Sequence, residues 1–356
     1  AARRIDPPVA DFDPVGGEPA PGAGIGLVIL LGDDDRRTRA EMPSNDVEIV
    51  AACEPDAETR AALAEAGKVE VPHQSADELF AADGFDLLAI GDVYVRRGAW
   101  AIRALAAGLH VISDKPLCTS LAELDEIAAA AAAGGLSVGC MLTNRGNGRF
   151  RALRRVLRDG AIGGVHTVAF SGQHPLMRGT RPEWYFKPGC HGGTINDIAI
   201  HALDMIPWLT GRRIVEVVAA RAWNARVSDA DWFQDGAQLM LRMDNDGGVL
   251  GDVSYLSPDE GGYDVPQYWR VTLHGDAGLA EVTPKGSARL WKEGRCETIG
   301  PDPDTPGSYL DDLLAEIAGL PPANGALTTD QVIASSRLAL IAQQAADEGR
   351  CRVACE

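Results

Sequence analysis

The chain has 356 residues, 46% of them hydrophobic and 24% charged, with a formal net charge of −18. This length exceeds one ordinary core and implies two domains, and the acidity argues against nucleic acid, whose phosphates require clustered Lys and Arg, and against anionic membrane surfaces. No apolar run approaches the roughly 20 residues of a membrane helix, and seven scattered cysteines without a CxxC pair fit a reduced, cytoplasmic protein.

Residues 1–24, rich in Pro, Gly and Ala, read as a flexible arm or the remnant of a processed leader. From Gly26 short apolar runs alternate with helical segments. GLVILL (26–31), VEIVAAC (47–53), FDLLAI (85–90), LHVIS (109–113) and LSVGCML (136–142) have the length of buried strands, and 57–66, 97–107 and 120–133 read as helices between them. The alternation predicts βαβ units and an α/β first domain, a Rossmann-like parallel sheet over 25–143.

After Asn144 the pattern changes. A helix over 150–159 leads to a strand near 165–171, then a loop rich in Pro, Gly and aromatics over 173–193, then a helix over about 194–209. Six runs follow one another within 214–297: IVEVVAARAW, AQLMLRM, GGVLGDVSYL, WRVTLHG, AEVTP and ARLWKE. Neighbouring strands of this kind predict a large, mostly antiparallel open sheet in an α+β second domain over 144–356, closed by helices at 309–318 and 328–348.

A dinucleotide site is expected where the first strand turns into a helix. Glu54 ends the second strand 22 residues after Gly32, where an acid accepts a ribose 2′-hydroxyl and repels a 2′-phosphate. That favours NAD over NADP; alternatively, Glu54 is a solvated strand end. The turn itself, GDDDRR, keeps Gly32 but has Asp34 and Arg37 in place of the second and third glycines of the usual fingerprint. Two unit charges about 5 Å apart at an effective dielectric near 20 repel by roughly 3 kcal/mol, about a hundredfold in affinity. Arg36, Arg37 or Arg39 can offset that repulsion. Otherwise Asp33 to Asp35 simply cap a helix, and the site holds no cofactor.

Two further constellations bear on chemistry. Lys115, in Asp114-Lys115-Pro116-Leu117 past the fourth strand, is placed to point into a cleft at the carboxyl edge of a parallel sheet. In GGTINDIAIHALDMIPWLTG, Asp197, His201, Asp204 and Trp208 form one helical stripe, and an acid four residues before His201 can orient its imidazole as a general base. The plain alternative is the solvated face of an amphipathic helix. Gly192-Gly193 before the helix would let a neighbour approach closely. Cys190, His191 and His201 lack metal-ligand spacing, so no metal is expected.

DKPL, RPEWYF followed by GGTINDIAIHALD, AAGLHVISDKPL, HGDAGLAEV and the closing LTTDQVIASSRLALIAQQAADEG resemble, in this order, the glucose-fructose oxidoreductase and inositol dehydrogenase family, Gfo/Idh/MocA. The resemblance implies NAD(P)-dependent hydride transfer to or from a sugar, cyclitol or related hydroxy compound. It also implies a homodimer or homotetramer built on the open sheet. Lys115 would orient the substrate hydroxyl and the nicotinamide ribose, His201 would exchange the hydroxyl proton, and Asp197 would hold His201 or the substrate. Trp184, Tyr185 and His191 would lie near the substrate. The sequence departs from the family pattern at Gly91-Asp92, where a Thr-Pro pair is usual, and at Arg97, where a His is usual. A redox-neutral lyase, hydrolase or isomerase of the same family, or a non-catalytic sugar-binding protein, are the other readings.

Overall fold

Five apolar runs pair side by side: β1 (Ile25–Leu31), β2 (Val47–Cys53), β3 (Leu87–Gly91), β4 (His110–Ser113) and β5 (Val138–Cys140). The computed structural model describes residues 25–31, 47–57, 60–61, 71–82, 84–302 and 308–355. All the pairings are parallel, in the order β2-β1-β3-β4-β5. Every residue of β3 and β5 is buried, as expected where both faces of a parallel sheet are covered. The order reverses between β1 and β3, so the crevice beyond their carboxyl ends is the place where such a sheet takes a ligand.

The helices of this half are α1 (Ala76–Ala81), α2 (Tyr94–Ala106) and α3 (Leu121–Gly134). Ser75 and Ser120 start α1 and α3 by accepting the backbone N–H of Glu78 and Glu123, donors that the first helical turn leaves without partners. The predicted helix at 57–66 is only partly covered: Ala57, Arg60 and Ala61 are helical, and the rest lies outside the described residues.

The second sheet contains β6 (Val165–Pro175), β7 (Ile214–Trp223), β8 (Gly236–Met243), β9 (Gly248–Ser257), β10 (Arg270–Gly275), β11 (Gly278–Val282), β12 (Ala288–Lys292), β13 (Arg295–Ile299) and β14 (Val353–Ala354). Their order is β13-β12-β11-β10-β6-β9-β8-β7-β14. Every pairing is antiparallel except β6 with β9. Those two strands are joined only through a long excursion, whereas hairpin neighbours must run in opposite directions.

With the sheet go α4 (Gly148–Arg158), α5 (Ile200–Thr210), α6 (Tyr309–Ile317) and α7 (Thr329–Asp347). Helix α6 returns to the first sheet and buries Leu310 and Leu313 beside Leu87, Ala89 and Ile112, about 1.5–3 kcal/mol for each leucine. On the open face of the second sheet the cross-strand partners Met240 and Leu250 are exposed.

Strands β13 and β14 and helix α1 are absent from the sequence-based expectation. Four of the five β13 residues are exposed, so this edge strand shows no buried alternation, and β14 is two residues long. Among the described residues no helix is long and apolar enough to cross a membrane.

Candidate active site

The register brings several chain exits to one edge of the parallel sheet, since Leu31 stands beside Gly91, Ile90 beside Ser113 and Ser113 beside Cys140. Lys115, just past β4, reaches from this edge to the helix before α5. Its Nζ donates to the Asp197 carbonyl at 3.2 Å and forms an ion pair with Asp197 Oδ1. The lysine side chain is 17% exposed and the Asp197 side chain 2%.

Arg97 fixes the backbone that carries Lys115. It is fully buried, donates through Nε to the Asp92 carbonyl at 2.6 Å and through Nη1 to the Lys115 carbonyl at 2.6 Å, and reaches Asp114 Oδ2 at 3.2 Å. Its guanidinium also lies 4.4 Å from the Tyr94 ring centroid. Five donors in a rigid planar fork allow one side chain to hold two loops at once. Asp92 in turn accepts from the Val93 N–H at 2.7 Å and Trp100 Nε1 at 2.8 Å, and pairs with Arg96. The residues that depart from the family pattern thus form the brace under the lysine loop.

The helix entrance has an unexpected occupant. Gly192 and Gly193 have φ of +75° and +92°, and a Cβ at Gly193 would stand 2.1 Å from Gln343 Cδ. The group that comes close is therefore a side chain of α7. Gln343 Oε1 accepts the Ile195 N–H at 2.9 Å, which satisfies a helix-start donor from outside. The next residues, Ile195–Ala199, form a π turn before α5. Such wider turns recur at functional sites.

No hydrogen bond joins the Asp197 and His201 side chains. Asp197 Oδ2 instead accepts from Tyr185 OH at 2.9 Å and from Tyr255 OH, with His191 Nε2 3.6 Å away. The two phenol oxygens are 2.9 Å apart, and His191 Nε2 lies 3.2 Å from Tyr255 OH. Burial, the largest influence on the Asp197 carboxyl, pushes its pKa up, but Lys115 and His191 together outweigh it and hold it well below the usual carboxylate range. Burial pushes His191 down, against the pull of Asp197.

His201 lies on the same wall, its ring 5.6 Å from that of Trp269. It is partly exposed, while its Nδ1 is buried with no hydrogen-bond partner among the described residues. Burial first, then the Lys115 charge and His174, pushes its pKa down to about 3. His174 is likewise pushed to about 3 by burial and by Lys115. Both rings are therefore neutral imidazoles at physiological pH.

The remainder of the predicted stripe is not solvated. Asp204 is buried and paired with Arg145, which donates from Nε at 2.8 Å and from Nη2 at 2.5 Å, while Ser335 Oγ donates at 2.9 Å. Trp208 Nε1 donates to the Gly325 carbonyl at 2.9 Å. Both faces of α5 are covered because α7 packs on the side that the sequence leaves polar. Trp184 is buried against Tyr94, with ring centroids 4.9 Å apart. Tyr185 and His191 are supports of Asp197. Tyr255, His174 and Arg145 carry no spacing signal in the sequence, since each finds its partner only across the sheet or between helices.

Of the residues expected to hold a dinucleotide, Gly32, Asp34, Arg36 and Arg37 lie outside the described residues. Glu54 directly follows β2 and is 1% exposed, so it is not a solvated residue. Its Oε1 accepts the Asp56 N–H at 2.7 Å, and Arg60 Nη1 reaches its carbonyl at 2.5 Å. A fixed carboxylate beside β1 and a cation beyond β4, on either side of the switch point, suit a dinucleotide. Among the described residues no group of three or more His, Cys, Asp or Glu side chains is placed to hold a metal ion. A cavity of about 650 Å³ is lined by Ser120, Tyr185, His191 and Gln343 among others, but by none of Lys115, Asp197 and His201.

Comparison with known proteins agrees with this arrangement. Residues 25–141 match the model of an oxidoreductase family with an NAD-binding Rossmann fold, and residues 150–281 match the GFO/IDH/MocA C-terminal domain. D-apiose dehydrogenase of Paraburkholderia graminis is 28% identical over 219 residues, 59% of this chain and 54% of that protein. The chain thus spans about half the length of the first curated relatives it matches. A solved structure from Thermotoga maritima superposes with a TM-score of 0.81 at 22% identity, covering 92% of this chain and 100% of the other. An oxidoreductase from Agrobacterium radiobacter, solved with NAD+, L-tartaric acid and magnesium, gives 0.75 at 20% identity, covering 94% and 99%. With family matches over both sheets, in the order that the motifs predict, the chain belongs to the GFO/IDH/MocA oxidoreductase family.

Proposed function

We propose that this chain is a NAD(P)-dependent dehydrogenase or reductase acting on the CH–OH group of a sugar, cyclitol or related hydroxy compound. The observation that carries the reading is the ion pair between Lys115 and Asp197, which joins the carboxyl edge of the parallel sheet to the helix bearing His201. When bound, the nicotinamide supplies the hydride acceptor. In the oxidation a carbinol C–H and O–H are lost: the hydride leaves to the cofactor and the proton to a base, and a carbonyl remains.

The protein's part is the proton and the orientation. Lys115, held by Arg97 from behind and Asp197 from the front, donates to the substrate oxygen and favours its alkoxide character. Neutral His201 accepts the proton; a low imidazole pKa keeps it unprotonated before the reaction and makes it release the proton readily afterwards. Asp197, saturated by its four neighbours, serves as the anchor of Lys115. Glu54 would accept the ribose hydroxyls, which favours NAD over NADP, and residues 25–143 would form the cofactor domain.

The exposed pair Met240 and Leu250 on the open sheet supports self-association as a homodimer or homotetramer. The seven cysteines, free in the structure, support a cytoplasmic setting. The test is titration of nucleotide-free protein with NADH, followed by fluorescence, with absorbance at 340 nm on adding polyols and NAD. Saturable binding with NADH formation is expected, and no binding at millimolar cofactor would defeat the reading. A redox-neutral relative remains the second reading, favoured by the Asp33 to Asp35 run. It would be recognised by turnover without net NADH.

A further inference from the structure

Alcohol oxidation needs only a hydroxyl, but the wall around Lys115 offers more. Arg181 stands in the loop between β6 and the π turn. Its Nε donates to the Leu176 carbonyl at 3.0 Å, an Nη lies 3.5 Å from Tyr263 OH, and the guanidinium sits 5.1 Å from the Tyr185 ring centroid. Tyr185 is one of the two phenols that donate to Asp197, so Arg181 lies one ring away from the ion pair at the centre of the site.

Among the described residues no carboxylate is within ion-pair distance of Arg181. Three residues earlier, Arg178 pairs with Asp229, and the buried Arg97 and Arg145 pair with Asp114 and Asp204. The charge of Asp197 does reach Arg181, but Lys115 already neutralises it. Among the described residues, the rings packed on this wall carry no charge: His174 packs at 5.9 Å from Tyr263 and 5.7 Å from Trp269, and Trp269 meets His201. Lys115 and Arg181 against Asp197 leave one uncompensated positive charge. A half-buried guanidinium held by its Nε and stacked on a ring keeps its remaining N–H groups oriented for a planar anion.

We propose that Arg181 is the recognition cation for a carboxylate on the substrate, so that the compound bound is a hydroxy acid, such as a uronic or aldonic acid, in preference to a neutral sugar or cyclitol. One net charge and one planar fork match a carboxylate; a phosphate dianion calls for more than a single cation. Only the oxidation of that acid rests on the function proposed above. Its selection by charge does not.

The experiment is calorimetric titration of the full chain with matched probes: D-glucuronate against D-glucose, D-galacturonate against D-galactose, D-gluconate against myo-inositol, and D-glucose 6-phosphate. An acid should bind roughly ten- to hundredfold more tightly than its neutral counterpart, the range of a charge-assisted hydrogen bond. Arg181→Met should bring that ratio to about one, and Arg181→Lys, which keeps the charge, should restore part of it. The proposal is overturned if no acid outbinds its neutral partner, if the phosphate binds best, or if Arg181→Met weakens acid and neutral probes alike. NADH formation is measured separately: an acid that binds without being oxidised would defeat the redox reading and leave the charge selection standing.

Discussion

Lys115 and Asp197, 82 positions apart in the chain, form a largely buried ion pair that no local sequence rule links. Removing one member of a fully buried pair costs about 3–5 kcal/mol, because the other charge is left without compensation, and the partial exposure of Lys115 makes that an upper bound here. Lys115→Met should therefore lower the melting temperature as well as abolish turnover. Lys115→Met combined with Asp197→Asn should regain most of the stability and none of the activity. Thermal melts and initial rates of the three variants, arranged as a double-mutant cycle, check this; additive stability losses would disprove the coupling.

His201 gives the opposite signature. Its buried Nδ1 has no hydrogen-bond partner among the described residues, so His201→Asn should leave the melting temperature within a degree or two or raise it. Turnover should fall by roughly 10²–10⁴ if the ring accepts the proton. Unchanged kcat in this variant would remove His201 from the chemistry.

Arg97 acts through the lysine loop. Arg97→Lys keeps the charge but cannot span both the Asp92 and Lys115 carbonyls. We expect kcat to fall roughly ten- to hundredfold with KM for the cofactor little changed, because misplacing a reacting group by about 1 Å costs on that order. Steady-state kinetics with both substrates varied separates this from general loosening, which would raise both KM values.

Acid should destabilise the fold early. His174 and His201 have pKa values near 3 in the folded chain, against an ordinary 6.5, so below pH 6.5 the unfolded chain binds protons that the folded chain refuses. Stability contributed by the neutral rings is complete above pH 6.5 and is lost as pH falls toward 3, by at most about 1.4 kcal/mol per pH unit for each ring. Denaturant midpoints between pH 7.5 and 4.5 should fall steadily, and less steeply in His174→Phe. The same shifts predict no kinetic titration near pH 6.5 in kcat/KM.

The sequence by itself determined the fold class, the position of most strands, the family, and Lys115, Asp197 and His201 as the residues to watch. Apolar runs and turn residues act over short distances, and the family motifs are contiguous, so both are legible in one dimension. The partners of those residues were decided by tertiary structure. Asp197 meets Lys115, Tyr185 and Tyr255, which come from three other parts of the chain. Gly193 makes room for Gln343, and Arg97 braces a loop 18 positions away in the chain. Each is a contact between elements distant in sequence, and packing two sheets against shared helices is what fixes which charges meet.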